Sequence, residues 1–137
     1  MAAGTLLAGV IVLVCAGSAT PLWAQAPTSK RSAKVIALDA HGGDYLQLLG
    51  GAPESITMRS GLVVLAPQHS VGKHSTGQNE EILIVLVGKG EMILTGKPSL
   101  PVEANHAVYC PPQTEHDVKN TGTEELRYVY GVAAAKP

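Results

Sequence analysis

A chain of 137 residues has room for one domain, and 10 basic side chains against 11 acidic ones leave a formal charge of −1. No basic stripe exists to track a phosphate backbone, so nucleic acid is not an expected partner. The acidic excess is equally too small to suggest a disordered, solvating chain.

The first 24 residues read as a secretory signal peptide. Residues 2–29 carry no Lys, Arg, Asp or Glu, and the apolar core at 6–16 is broken by Gly17, Ser18, Thr20 and Pro21, too soon to span a bilayer comfortably. Leu22-Trp23-Ala24 places cleavage after Ala24, which predicts a secreted or periplasmic protein. The alternative is a retained N-terminal membrane anchor. A lipid anchor at Cys15 is disfavoured because Val14 stands where a small residue is needed. Cleavage leaves Cys110 as the sole cysteine, so the domain expected over 34–135 has no intrachain disulfide and relies on burial. Residues 25–33, with Pro, Thr and Ser, form a flexible leader, and Lys30, Arg31 and Lys34 read as a solvated linker.

Strand candidates then follow at roughly eight- to twelve-residue intervals. Residues 35–38 are the first, closed by the turn His41-Gly42-Gly43-Asp44, and 45–49 run to Gly50-Gly51-Ala52-Pro53. Residues 55–59 and 62–66 are expected to pair as a hairpin about Ser60-Gly61. Residues 82–87 are all β-branched or leucine, which predicts a central strand buried on both faces. Gly88-Lys89-Gly90 reads as a hairpin turn returning into 91–94, which ends at Gly96-Lys97-Pro98. Strands at 107–110, 117–119 and 126–132 complete the set. With no helical period, this is an all-β barrel or sandwich of mostly antiparallel strands.

Two stretches carry chemistry. His74 sits in a polar, glycine-containing loop, and Glu81 opens the apolar run that follows. An imidazole and a carboxylate at the mouth of a dry β-core point to a metal ion. Further on, Pro111-Pro112 ends a strand, because proline gives no donor to a ladder, and the turn through Gln113 and Thr114 holds His116 at a rigid corner. If that corner lies beside the His74 loop, His74, Glu81 and His116 converge. The competing readings are a solvated His74, Glu80 in place of Glu81, and a His116 that only bonds a backbone carbonyl. Cys110 reads as a small buried hydrophobe, Asn120 as a turn cap with Thr121-Gly122, His41 as a turn residue and His106 as a solvated strand end. Tyr109, Tyr128 and Tyr130 read as sheet packing, with one or two of them lining the barrel as the alternative. No serine or cysteine nucleophile constellation and no phosphate loop occur.

In these stretches the chain resembles the cupins. Their first motif, a glycine, five residues, His-x-His, three or four residues, Glu, six residues and glycine, is matched by His74, Glu81 and Gly88. The second, Pro-x-Gly-x-x-His-x-x-x-Asn, is matched by Pro111, His116 and Asn120. Gln68 and Gln113 stand where the motifs have glycine, and Thr76 stands where the second histidine would be. The resemblance implies a single cupin-type jelly-roll barrel and a divalent metal, Fe, Mn, Ni or Zn, held by His74, Glu81 and His116. Thr76 is then expected to order a metal-bound water; Gln78 and His69 read as solvated loop residues, with a fourth contact to the metal from either as the alternative. It also implies a small-molecule ligand or substrate and pairing into a homodimer through sheet faces. Two functions follow from it: a metal-dependent dioxygenase or isomerase, or a non-catalytic module that binds a small ligand or metal.

Overall fold

The computed structural model describes residues 31–135. The signal peptide and most of the leader read from the sequence lie outside the described residues. Nine strands form two antiparallel sheets, with no helix among the described residues. They are β1 (Tyr45–Gly50), β2 (Arg59–Leu65), β3 (His74–Ser75), β4 (Asn79–Val87), β5 (Lys89–Leu94), β6 (Leu100–Glu103), β7 (Ala107–Cys110), β8 (Glu115–Asn120) and β9 (Leu126–Ala134). The larger sheet runs β1-β2-β9-β4-β7 and the smaller β3-β8-β5-β6. Between them lies a core of Val63, Leu65, Leu83, Val85, Met92, Val102, Val108, Cys110, Val118, Leu126 and Tyr128. This is the all-β jelly-roll barrel that the turn spacing and the motifs predict.

Several sequence expectations are corrected. Residues 35–38 form no strand: Val35 is fully exposed, and the carbonyl of Leu38 instead accepts a hydrogen bond from Arg127 Nη2 at 3.1 Å. Residues 55–58 are irregular, tied by Ser55 N to Gly51 O at 2.9 Å and Gly50 N to Glu54 Oε2 at 2.8 Å. Ser60 and Gly61 are no turn but the interior of β2, paired to Gly131 and Tyr130 of β9. Gly61 is required there because the rings of Tyr45 and Tyr130 meet over it: a Cβ would lie 2.6 Å from Tyr45 Cε2 and 2.8 Å from Tyr130 Cε1. β6 escapes the sequence reading because Pro101 argues against a strand, yet β6 is an edge strand, where proline is tolerated.

The central strand is not buried on both faces. Leu83 and Val85 are buried while Ile82, Ile84 and Leu86 stay 36–44% exposed, since β4 lies in an antiparallel sheet with only its inner face covered. Nor is Gly88-Lys89-Gly90 a hairpin. β4 pairs with β7 and β9 and β5 with β6 and β8, so this tripeptide carries the chain from one sheet to the other. Gly88 has φ +81°, and a Cβ there would meet the Glu125 carbonyl oxygen at 2.3 Å.

Candidate metal centre

The short strand β3 brings His74 to the edge of the smaller sheet, where it pairs directly with β8 in the register His74 to His116. Direct cross-strand partners point to the same face, and the two imidazole centroids are 4.3 Å apart with planes inclined at 56°. Glu81 comes from the other sheet: alternation along β4 turns it inward with Leu83 and Val85, and it is buried. The three side chains, far apart in the sequence, thus face one another across the barrel mouth. Their ligand atoms all lie within 4.8 Å of one another, a group that can hold a metal ion.

Local contacts decide which ring nitrogens are free. His74 Nδ1 lies 2.8 Å from the carbonyl oxygen of Gly72, and His116 Nδ1 3.3 Å from that of Thr114. A carbonyl only accepts, so each Nδ1 carries the proton and each Nε2 presents its lone pair. His116 is 1% exposed, and its Nε2 has no hydrogen-bond partner. The nearest acid is Glu81 Oε2 at 3.4 Å, too long for a good hydrogen bond. In the absence of an ion, the facing Glu81 carboxylate raises the His116 pKa, outweighing the burial that lowers it. A buried, unpartnered nitrogen beside a carboxylate and a second oriented imidazole fits a divalent cation: two nitrogens and one oxygen suit Fe(II), Mn(II), Ni(II) or Zn(II).

The neighbouring candidates fall elsewhere. Thr76 is buried and its hydroxyl donates to the Pro111 carbonyl at 2.8 Å while accepting from the Thr114 amide at 2.9 Å. Its one proton is therefore committed to the backbone, and the hydroxyl clamps the loop that carries His116. His69 contacts Pro67 and lines a separate depression with Gly42 and Asp44, outside the cluster, and Gln78 is not among the residues that line the cavity beside it. Glu80 points outward, accepting from Tyr109 Oη at 3.0 Å. Asn120 is fully buried and caps as expected, accepting from Gly122 N at 2.8 Å while donating to Leu65 and Glu124. Cys110 is buried against Met92, Sγ to Sδ 3.2 Å, and burial pushes its thiol pKa up to about 11, so it is no nucleophile.

A cavity of about 570 Å3 opens from the cluster, in the size range of small-molecule sites. Val63, Val118 and Val132 give it apolar walls, and Tyr128 and Tyr130 line it while Tyr109 lies on the outer surface. Tyr45 and Arg59 also line it. Neither was singled out from the sequence, although the alternation Arg59, Gly61, Val63 would have shown Arg59 facing inward once Ser60-Gly61 was read as strand.

A family model described as "Cupin domain" matches residues 61–132. Among characterised proteins, the chain is similar to "Polyketide synthase CurC" of Streptomyces cyaneus, 29% identical over 70% of this chain and 62% of that one. It is also similar to "Protein SchB" of Streptomyces halstedii, 26% identical over 80% of this chain and 83% of that one. The chain thus spans less than two thirds of the first relative's length. Among solved structures, a Cupin 2 conserved barrel domain protein from Salinispora arenicola superposes with a TM-score of 0.63 at 23% identity, covering 77% of this chain and 92% of its own.

Proposed function

The chain belongs to the cupin family, and from that premise we propose that it binds a divalent metal through His74, Glu81 and His116 and acts on a small organic molecule in the adjoining cavity. The observation that carries this reading is the buried Nε2 of His116, left without a partner 3.4 Å from the Glu81 carboxylate. Such a nitrogen is costly to keep unless something else bonds it. His74 and His116 contribute neutral lone pairs fixed in direction by the carbonyls behind them, and Glu81 contributes the compensating charge. A bound ion supplies Lewis acidity and, with iron or manganese, redox chemistry suited to a dioxygenase or isomerase. The apolar walls keep bulk water from a ligand lodged beside the cluster. A relative carrying the name polyketide synthase supports a small organic molecule over a macromolecule.

The second reading, a non-catalytic binding module, is favoured by Thr76, which stands at the second-histidine position and is fully engaged with the backbone. Titrating Mn(II) while following the free-ion electron paramagnetic resonance signal tests the site: the wild-type protein should quench it, and Glu81→Gln should not. Quenching by both removes these ligands. Oxygen uptake with diketones, phenolics and thiols then separates enzyme from binder.

We also propose export after cleavage near Ala24, which mass spectrometry of periplasmic or culture-medium protein checks. The outer face of β4, with Ile82, Ile84 and Leu86 beside Tyr109, is the surface we assign to homodimer pairing.

A further inference from the structure

The cavity has a second polar end, away from the metal ligands, and the register of the larger sheet places it. Arg59 pairs with Val132, Val132 with Glu81 and Glu81 with Cys110, so these four form one row across β2, β9, β4 and β7. Direct partners share a face; Arg59 and Glu81 therefore look into the same cavity from two strands apart, a backbone separation of about 10 Å. In the next row Tyr130 opposes Gly61. Because Gly61 has no side chain, Tyr45 reaches across it, and the hydroxyls of Tyr45 and Tyr130 meet at 3.0 Å.

Arg59 is the cation at this end that nothing neutralises: among the described residues no carboxylate pairs with it. Lys73, which also lines the cavity, is already held by Glu115 at 2.9 Å. Of the two tyrosine hydroxyls, one donates to the other, which leaves one O–H to give away. We propose that Arg59, Tyr45 and Tyr130 form an anchoring subsite for the carboxylate of a small organic acid whose hydrocarbon body lies along the valine walls toward His74, Glu81 and His116.

The chemistry selects the class. A guanidinium fork and one phenolic O–H match the two oxygens of a carboxylate. One unpaired cation balances a monoanion, whereas a phosphate dianion would be left uncompensated with the Glu81 carboxylate facing the same space. The valine walls favour an acid with an apolar body over a fully polar one. This inference rests on the reading of the cavity as a small-molecule site, but not on the presence of metal.

Calorimetric titration of the purified protein with benzoate, neutral benzamide of the same shape, and phenyl phosphate tests it. Benzoate should bind about tenfold or more tightly than benzamide, the value of a charge-assisted bidentate pair. Arg59→Gln should bring benzoate down to benzamide's affinity and leave benzamide unchanged, Arg59→Lys should recover part of the preference, and Tyr130→Phe should weaken benzoate a few-fold. Melting temperatures of the two Arg59 variants should match wild type, since Arg59 is exposed. His116→Ala separates the two readings: the benzoate preference should survive there even though the metal is lost. A preference that collapses in His116→Ala and survives Arg59→Gln would mean that benzoate sits on the metal, overturning the subsite and leaving the metal reading intact. Equal affinity for benzoate and benzamide, no benzoate binding at millimolar concentration, or tighter binding of phenyl phosphate would also overturn the proposal.

Discussion

Thr76→Val should destabilise the domain without touching any metal ligand. The substitution keeps shape and volume but removes the hydroxyl that donates to the Pro111 carbonyl at 2.8 Å and accepts from the Thr114 amide at 2.9 Å. Each such bond contributes about 1 kcal/mol net, and orphaning a buried partner costs up to about 3 kcal/mol. Pro111 is exposed and Thr114 half-buried, so water can reach both stranded groups, and the lower end applies. The total is then about 2 kcal/mol, which for a domain of this size lowers Tm by about 10 °C. Thermal unfolding by circular dichroism measures it, with Thr76→Ser as the control that retains both bonds and should lose under about 1 kcal/mol. If Thr76→Val melts with the wild type, the hydroxyl is not holding the loop, and its assignment as a backbone clamp fails.

Gln113, at φ +60°, occupies the left-handed region at no evident gain, so Gln113→Gly should stabilise by up to about 1 kcal/mol, read from the urea midpoint. In chelator-treated protein the His116 pKa is raised above its usual 6.5 by Glu81. The folded-state value lies above the unfolded one, so this contribution is fully present below about pH 6.5 and is lost as pH rises through the raised value. The urea midpoint of metal-free protein should therefore fall as pH rises above about 6.5, while Mn(II) affinity, which needs neutral imidazole, should rise over the same range; a flat profile for both contradicts the pair. The wild-type protein should sediment as a dimer and Ile84→Glu, on the outer face of β4, as a monomer with little loss of stability; a monomeric wild type or an unchanged mass overturns the assignment of this face.

The fold class and the meeting of His74, Glu81 and His116 were legible in the sequence because both depend on spacing. Turn residues at short intervals admit only short strands, and the motif register selects Glu81 over Glu80. Alternation from the neighbouring inward residue Leu83 then turns Glu81 into the barrel and Glu80 out to Tyr109. What spacing does not carry is which sheet a strand joins. An unbroken apolar run such as 82–87 is compatible with one covered face or two, and Gly88-Lys89-Gly90 looks the same as a hairpin or as a corner between sheets. Ser60-Gly61 is the sharpest case. Its residues are typical of a turn, but Gly61 is glycine because two tyrosine rings from β1 and β9 fill the space above it, a cause that exists only after folding. Missing that strand hid Arg59 and Tyr45 from the functional reading. Gln68, at φ +67°, and Gln113, at φ +60°, show the converse: both hold the left-handed conformation that glycine favours, at positions where the motifs have glycine and this chain does not.

The most direct measurement is elemental analysis of the purified protein beside His116→Ala. The account predicts about one divalent ion per chain in the wild type and a clear loss in the variant, with both proteins folded. Equal metal content in the two, or none in a wild-type protein supplied with Fe, Mn, Ni and Zn, would contradict it.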